Sequence, residues 1–520
     1  MSNIKLLKSS GIIGGATVAS RILGFFRDIL FARFFGTNMF AQAFVVAFRI
    51  PNMLRDLVGE GATNAAIVPV LSEYSHTRSK QEYWDAAQVI LNLMLIVLAI
   101  LAVSGVVFAP ILVKIIAPGF VRSPEKFSAA VFLTRMIFPY IIFLGMTAYS
   151  KGVLNSLHYF TTPAFAPVVL NMTMILGLLV LCPVIGINGL IAGVLIGGAL
   201  EVALQIVPLK KRGFSFGKGF CLVHPVAKRI GVLLLPRMVG TAVYQLSVLI
   251  DTVLASLAWI VGSGGVAALY YSNRLVQLPL AVFGISLATA ALPKMSKEVA
   301  VKDMEKLKKT VSFALKTVFT VMVPAAIGLV ILARPIIRIL FQRGEFTEYS
   351  TMITSDALFF YSFGLFAYAG IKILVNTYYS MGDTRTPVKT AAVSLLINLG
   401  LNLALMYPLK IGGLALATSI AATANFVILY VILTKRIGSI NGAGILKTFI
   451  KICVAGLIMA VIIFVLREMC LQITGLSSCK MFLRLIMIVF AGSVVYITAA
   501  YVIGVEGVRK MIRIALRRNK

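Results

Sequence analysis

Residues Ser20 to Glu60 read SRILGFFRDILFARFFGTNMFAQAFVVAFRIPNMLRDLVGE, and this stretch decides the fold. It is apolar enough to lie in a bilayer, yet it carries Arg21, Arg27, Asp28, Arg33, Arg49, Arg55, Asp56 and Glu60. An arginine at the centre of a spanning helix costs on the order of 3 kcal/mol on insertion scales, so several together need water, partners or an anionic ligand. At about 100° per residue, Ser10, Gly14, Thr17, Arg21, Gly24 and Asp28 share one side of a first helix. A turn at Gly36 to Asn38 leads into a second helix, which sets Gln42, Arg49, Asp56 and Glu60 roughly in line and carries Pro51 as an expected kink. The two polar faces predict one wall of a hydrated, cationic cavity. Arg33 lies near a helix end and reads as a side chain that snorkels to the interface, and Arg49 fits that reading too.

The rest of the chain agrees with a membrane setting. Of 520 residues, 59% are hydrophobic and 13% charged, which no soluble globular domain matches. By the criterion of roughly 20 residues per crossing, about fourteen apolar runs are long enough to span. They lie near residues 10–35, 39–71, 86–116, 127–155, 163–183, 187–208, 228–258, 266–292, 311–340, 350–380, 387–407, 412–434, 446–468 and 481–504. The fold class expected is an all-α polytopic membrane protein.

A net charge of +31 raises the question of nucleic acid, but the basic residues follow the membrane instead. Alternate loops hold Lys210, Lys211, Arg212, Lys218, Lys228 and Arg229, then Lys294 to Lys309, then Lys435 and Arg436, and the tail adds six more cations from Arg509 to Lys520. The intervening loops are nearly bare. The positive-inside rule therefore puts both termini in the cytoplasm and requires an even number of spans. Lys5 and Lys8 before an apolar run imitate a signal peptide, but Arg21 and Arg27 interrupt that run, so it is expected to be retained. Cys182, Cys221, Cys453, Cys470 and Cys479 have no metal or redox spacing, and neither a disulfide, a metal nor another cofactor is expected.

The first six spans recur as the next six, displaced by about 221 to 225 positions along the chain. Asp28 answers Asp251, Pro69 answers Pro293, and Ala109, Pro110 and Gly119 answer Ala333, Pro335 and Gly344. Tyr140, Lys151 and Asn155 match Tyr361, Lys372 and Asn376, and Gly189 with Leu190 matches Gly413 with Leu414. Six spans return the chain to its starting side, so the repeat is parallel, about an axis along the membrane normal. The expected organisation is a lobe over 1–215, a second over 216–440, and two added helices with a basic tail over 441–520. A cavity between two such lobes is the plan of alternating-access transporters.

The second half supplies its own polar face. Tyr270, Asn273, Arg274 and Gln277 stand at i, i+3, i+4 and i+7, one side of a helix. Lys151 and Lys372 occupy equivalent depths and fit either a cavity or snorkelling, and Arg237 lies near the start of the seventh span. The candidate cavity is thus positive, with Arg21, Arg27, Arg55, Arg274 and Lys372 against Asp28, Glu60 and Asp251. An anion fits it, and the planar fork of arginine suits phosphate. Asp28 either orients the arginines or pairs with one. Asp251 with Asn376 fits a cation site, though a structural hydrogen bond is the simpler account.

SRILGFFRDILFARFFGT, FRIPNMLRDLVGEGATNAAIVPVLSEY, APGF at Ala117 to Phe120, FPY at Phe138 to Tyr140, PAFAPVVLN at Pro163 to Asn171 and TPVK at Thr386 to Lys389 together resemble the MurJ (MviN) family of lipid II flippases. The resemblance covers nearly the whole chain in order. It implies the MOP exporter plan, two six-helix lobes plus two helices that shape a groove for a lipid tail. It also implies movement of the undecaprenyl-pyrophosphate-linked peptidoglycan precursor from the cytoplasmic to the periplasmic leaflet of a bacterial inner membrane. The family's cavity arginines map onto Arg21, Arg27, Arg55 and Arg274, with Asp28 beside them. This chain departs at Gln42 and Asn273, where some members carry acids, and a monovalent cation site found in some relatives is not recognisable here. The alternatives are a flippase for another polyprenyl-linked glycan, a drug exporter, whose cavity should be acidic, and a membrane glycosyltransferase, which needs catalytic acids that the short external loops lack. Expected partners are lipid II and membrane lipids, without nucleic acid; the oligomeric state is not legible.

Overall fold

The computed structural model describes residues 3–55, 66–215, 225–471 and 478–509, with side chains described throughout these except at 3–10, 233–244, 471 and 478–479. The described chain is all α-helical apart from its turns, with no strand among the described residues. It divides into two compact units: residues 1–257 together with 343–346, and residues 258–342 together with 347–520.

The first unit begins with α1 (Asn3–Phe35) and α2 (Met39–Leu54), joined by a tight turn. Gly36 takes the left-handed backbone that the turn requires, and Asn38 caps α2 by accepting from the Ala41 N–H at 3.1 Å. Then follow α3 (Val68–Thr77), α4 (Lys80–Val107), α5 (Ala109–Ile116), α6 (Pro124–Ile137), α7 (Tyr140–Ser156), α8 (Thr161–Leu176), α9 (Cys182–Ile185), α10 (Ile187–Lys211) and α11 (Pro225–Ala255). Core side chains from α3, α4, α7, the end of α10 and the start of α11 meet in one cluster around Leu71, Tyr83, Leu91, Tyr149 and Leu209. Within it the Tyr149 hydroxyl donates to the Ala87 carbonyl at 2.9 Å, and the hydroxyls of Tyr83 and Ser156 pair at 2.9 Å, so the apolar core also satisfies its polar atoms. Arg229 on α11 holds Glu73 on α3 through two parallel bonds of 2.9 and 2.7 Å.

The approach of α10 to α8 is set by small residues. Gly189, Gly193 and Gly197 recur every four positions, and a Cβ at Gly193 would stand 2.8 Å from the Thr173 carbonyl oxygen of α8. Without side chains there, the two backbones meet directly, the standard way for helices to associate in lipid. Gly198 does the same against the ring of Tyr140 on α7.

The second unit holds α12 (Ala258–Val261), α13 (Gly265–Pro279), α14 (Ser286–Ala300), α15 (Met304–Phe341), α16 (Glu348–Ser362), α17 (Leu365–Ser380), α18 (Arg385–Ile437), α19 (Gly442–Leu471) and α20 (Ser478–Ile503). The C-terminal pair α19 and α20 packs on α15, where the Tyr496 hydroxyl donates to the Thr320 carbonyl at 2.7 Å and Arg467 donates to the Ile331 carbonyl at 3.2 Å. In the loop before α18, Asp383 accepts from the side chain and N–H of Thr386 and from Arg436. Burial alone would raise its pKa; these bonds outweigh burial and hold it at about 2.

Nine described helices are long and apolar enough to cross a membrane, or ten if the bent pair α16 and α17 counts as one span. The difference from the sequence expectation of about fourteen has physical sources. The first expected span is α1, whose charges set it apart from an ordinary apolar helix. The second includes residues 56–65, outside the described residues, and of the seventh only Gln245–Ala255 registers, as a short apolar helix. The eleventh and twelfth run together as α18, broken at Lys410, where φ is 50°.

Two contacts inside the first unit answer each other across the repeat. Gly119, after α5, lies so close to the Ser256 carbonyl that any Cβ would overlap it, and its N–H donates to the Ser256 hydroxyl at 3.0 Å. Gly344 lies against the Arg33 carbonyl in the same way, and the neighbouring Glu345 N–H donates to that carbonyl at 2.9 Å. Gly119 and Gly344 are repeat counterparts, and Arg33 stands to Asp28 in sequence as Ser256 stands to Asp251.

Candidate cationic site

The polar face expected on α1 changes character along its length. Gly14, Thr17 and Arg21 are exposed, Gly24 faces Asn171 of α8, and Asp28 is buried. Ser10 lies outside the residues whose side chains are described. Arg21 makes no hydrogen bond or ion pair among the described residues, so its guanidinium is presented outward.

Arg27 is held on two sides. Its Nε and Nη2 donate to Asp28 Oδ1 at 3.1 and 2.8 Å, and its Nη1 donates to Asn171 Oδ1 at 3.0 Å. The two charged side chains are only 13% and 4% exposed, so the pair is largely withdrawn from solvent. Asn171 is fixed in turn, since its Nδ2 donates to the Ser20 carbonyl at 3.1 Å, the Ser20 hydroxyl at 3.2 Å and the Pro167 carbonyl at 2.9 Å. The glycine stripe of α10 positions α8, and α8 positions the asparagine that aims Arg27. Of the two roles open to Asp28, the structure places it as the partner of Arg27.

Arg55 caps the end of α2, half-buried, with its N–H on the carbonyls of Asn52 and Pro51. It stands close enough to Tyr140 of α7 and Glu201 of α10 to act on both electrostatically, and Arg27 also acts on Tyr140. Arg27, Asp28, Arg55, Tyr140, Asn171 and Glu201 therefore form one neighbourhood in the first unit. Asp56 and Glu60 lie outside the described residues. Gln42 shares a side of α2 with Arg49 as the spacing predicts, and it is buried: its Nε2 donates to the Thr37 carbonyl at 3.1 Å, and its Oε1 accepts from Lys126 of α6 at 2.8 Å. It ties the start of α2 to α6.

In the second unit, Tyr270, Asn273, Arg274 and Gln277 share one face of α13 as the spacing predicts. Arg274 Nη2 donates to the Tyr270 hydroxyl at 3.3 Å, with the guanidinium 4.9 Å from the ring centre. Gln277 donates to Asn273 Oδ1. Pro279 and a π-helical turn at Leu280–Ile285 follow directly. Lys372 is exposed on α17. Asn376 donates to the Ala288 carbonyl at 2.8 Å, a tie between α17 and α14 that suits the structural account of this residue. Asp251 is buried in α11, and the side chain of Arg237 lies outside the described ones.

Sequence reasoning missed Asn171 and Glu201 as members of the site. Each had a signal, a polar side chain within an otherwise apolar run, but nothing local tied either to Arg27 or Arg55.

The family model described as "Lipid II flippase MurJ" matches residues 31–485. A probable lipid II flippase MurJ from Buchnera aphidicola subsp. Acyrthosiphon pisum is 32% identical over 512 residues, 97% of this chain and 98% of the relative. The lipid II flippase MurJ of Burkholderia cenocepacia is 33% identical over 467 residues, 88% of this chain and 89% of the relative. Among solved structures, a lipid II flippase MurJ in an inward closed conformation is 28% identical and superposes with a TM-score of 0.79 over 94% of this chain and 98% of that one. An inward-facing multidrug resistance MATE transporter of the MOP superfamily shares the fold at 15% identity, with a TM-score of 0.69 over 81% of this chain and 95% of that one. The chain, all-α with repeated membrane-spanning helices, belongs to the MurJ family.

Proposed function

We propose that this protein is a lipid II flippase, a transporter and not an enzyme, in a bacterial inner membrane, and that its cationic site receives the pyrophosphate of the lipid-linked precursor. The observation that carries the reading is the arrangement around Arg27: one arginine locked by Asp28 and Asn171, with Arg21 presented openly on the same helix and Arg55 at the same neighbourhood. Arg21 and Arg55 supply charge and hydrogen-bond donors to the phosphates, and Arg27 fixes the geometry of the wall. Arg274 and Lys372 add charge from the second half, with Asn273 beside them, and Glu60 belongs to the same set by its sequence position.

The lobes follow the repeat, 1–215 and 216–440, with 441–520 added, fourteen spans in all and both termini cytoplasmic. The headgroup enters from the cytoplasmic side, the lobes rock, and the tail stays in lipid. No covalent chemistry is required. For a headgroup of about two negative charges, a 100 mV inside-negative potential favours export by roughly 4 to 5 kcal/mol if both charges cross the whole field.

The test is depletion of the protein in cells while a periplasmic toxin that cleaves only exposed lipid II reports the leaflet. Uncleaved lipid II should accumulate on depletion, and a membrane-inserted Arg27→Ala protein should fail to restore cleavage. Continued cleavage in cells without a second flippase would overturn lipid II as the substrate and turn the search to other polyprenyl-linked glycans.

A further inference from the structure

A charged cavity in the second unit contains none of the residues assigned to the transport site. It encloses about 640 Å³ between the last turns of α15 and α19 and the adjoining stretches of α16 and α20. Volumes of roughly 300 to 1,000 Å³ are those of small-molecule sites. Arg334 and Arg338 enter from α15, Asp356 from α16, and Arg467 with Glu468 from α19. At 1.5 Å per residue, Arg338 stands about 50 Å along α15 from Met304 and the basic stretch before it. A hydrocarbon core is about 30 Å thick, so the cavity lies toward the opposite membrane surface, where lipid headgroups lie.

Most of these charges are already matched. Arg334 donates to one oxygen of Glu348 at 2.6 Å, and the other oxygen accepts from Gln342 at 2.8 Å. Arg467 pairs with Glu468 at 3.0 Å and also donates to the Ile331 carbonyl. Arg338 and Asp356 differ: both are exposed, and neither side chain makes a hydrogen bond or ion pair among the described residues. They line one space from neighbouring helices without bonding each other. Asp356 stands about 12 Å along α16 from Glu348. An ionisable acid that far into a spanning helix needs a partner or water. Much of the remaining wall is apolar, with Met352 and Phe359 flanking Asp356 on the same side of α16 and Val330 and Ile331 supplied by α15.

A ligand that satisfies this cavity brings a negative group for Arg338, a positive one for Asp356 and an apolar part for the wall. Counting Glu348, three arginines meet three carboxylates, so no net charge favours an anion. A purely anionic headgroup would set like charge beside Asp356, and inorganic phosphate would leave both Asp356 and the apolar wall unused. We propose that the cavity binds the headgroup of an amino phospholipid, phosphatidylethanolamine in chemistry, with the phosphate on Arg338 and the primary ammonium on Asp356. The guanidinium fork suits the phosphate oxygens, and an ammonium with three N–H donors hydrogen-bonds the carboxylate. The glycerol and the first methylenes of the chains lie along Met352 and Phe359. The site stands apart from the flippase reading, because a resident lipid binds there whatever the cargo is.

The experiment titrates the purified full chain in detergent with phosphatidylethanolamine, phosphatidylglycerol and phosphatidylcholine of identical acyl chains, and reads bound lipid by native mass spectrometry. Phosphatidylglycerol has the phosphate without an ammonium, and the methylated ammonium of phosphatidylcholine cannot donate a hydrogen bond. Wild type should therefore take phosphatidylethanolamine about tenfold more tightly than either, the value of one hydrogen bond to a charged group. Asp356→Asn should abolish that preference and leave phosphatidylglycerol bound at least as well as phosphatidylethanolamine. Arg338→Gln should weaken both. Glycerophosphoethanolamine, the same headgroup without chains, should compete poorly; competition as strong as that of the lipid would overturn a lipid as the occupant. Wild type without a preference for phosphatidylethanolamine, an Asp356→Asn protein that keeps the preference, or an Arg338→Gln protein that binds like wild type would overturn the proposal.

Discussion

Arg27 and Arg274 are both arginines on spanning helices, but the molecule holds them by different means. Arg27 depends on an asparagine 144 residues away, which itself depends on the close packing of α8 with α10. Arg274 leans on Tyr270, one turn back on its own helix. The bond that fixes Arg27 is part of the packing between helices, whereas the bond from Arg274 to Tyr270 lies on a face that forms regardless. The first should be costly to alter for fold and function together, the second for function alone.

The comparison can be broken most directly at the arginines themselves. Arg27→Ala should abolish flipping and also lower stability by about 3 to 5 kcal/mol, because it strands the buried Asp28 carboxylate without its partner. Arg274→Ala should impair flipping while its thermal unfolding stays close to wild type. Paired leaflet assays and thermal melts of the purified proteins test both, and equal melts for the two variants would erase the distinction. Asn171→Ala sharpens it, since the charges are untouched but a bond to a charged group is lost, so a loss of about 1.5 to 3 kcal/mol with a large fall in flipping is expected. Tyr270→Phe should cost only about 0.5 to 1 kcal/mol, the value of one ordinary hydrogen bond, with flipping reduced in proportion.

The smallest effect on flipping belongs to Asp383, a carboxylate held by its own loop and Arg436. Its folded pKa lies below that of the unfolded chain, so its contribution to stability is complete at neutral pH. That contribution is lost as pH falls from about 4 through about 2. Asp383→Asn should flatten acid unfolding over that window while leaving flipping at pH 7 to a modest change; acid melts superimposable on wild type would show the loop contributes nothing.

The parts of the site that were legible in the sequence are those encoded locally. Tyr270, Asn273, Arg274 and Gln277 announce their shared face by spacing alone, and Arg21 and Asp28 by their place on one side of α1. The role of Asn171 was invisible because it arises only when a glycine stripe on a third helix lets α8 approach. The spacing rightly put Gln42 in line with Arg49, but its partner Lys126 was hidden for a related reason, since it comes from α6. Glu201 carried a plain signal, a carboxylate inside an apolar run, but nothing local tied it to Arg55 or Tyr140. The repeat was legible because it is written twice, and Gly119 with Gly344 shows why those positions persist, each meeting a carbonyl that leaves no room for a side chain.

Those paired glycine contacts also speak to ancestry. In a two-fold symmetric dimer, if residue i of one subunit touches j of the other, then j of the first touches i of the second, so every contact comes in duplicate. Gly119 with Ser256 and Gly344 with Arg33 are such a duplicate, kept within a single chain. They are what would remain if two copies of the repeated sequence, already touching through one self-complementary surface, had been joined end to end, with each copy then free to change its charges while these contacts were kept.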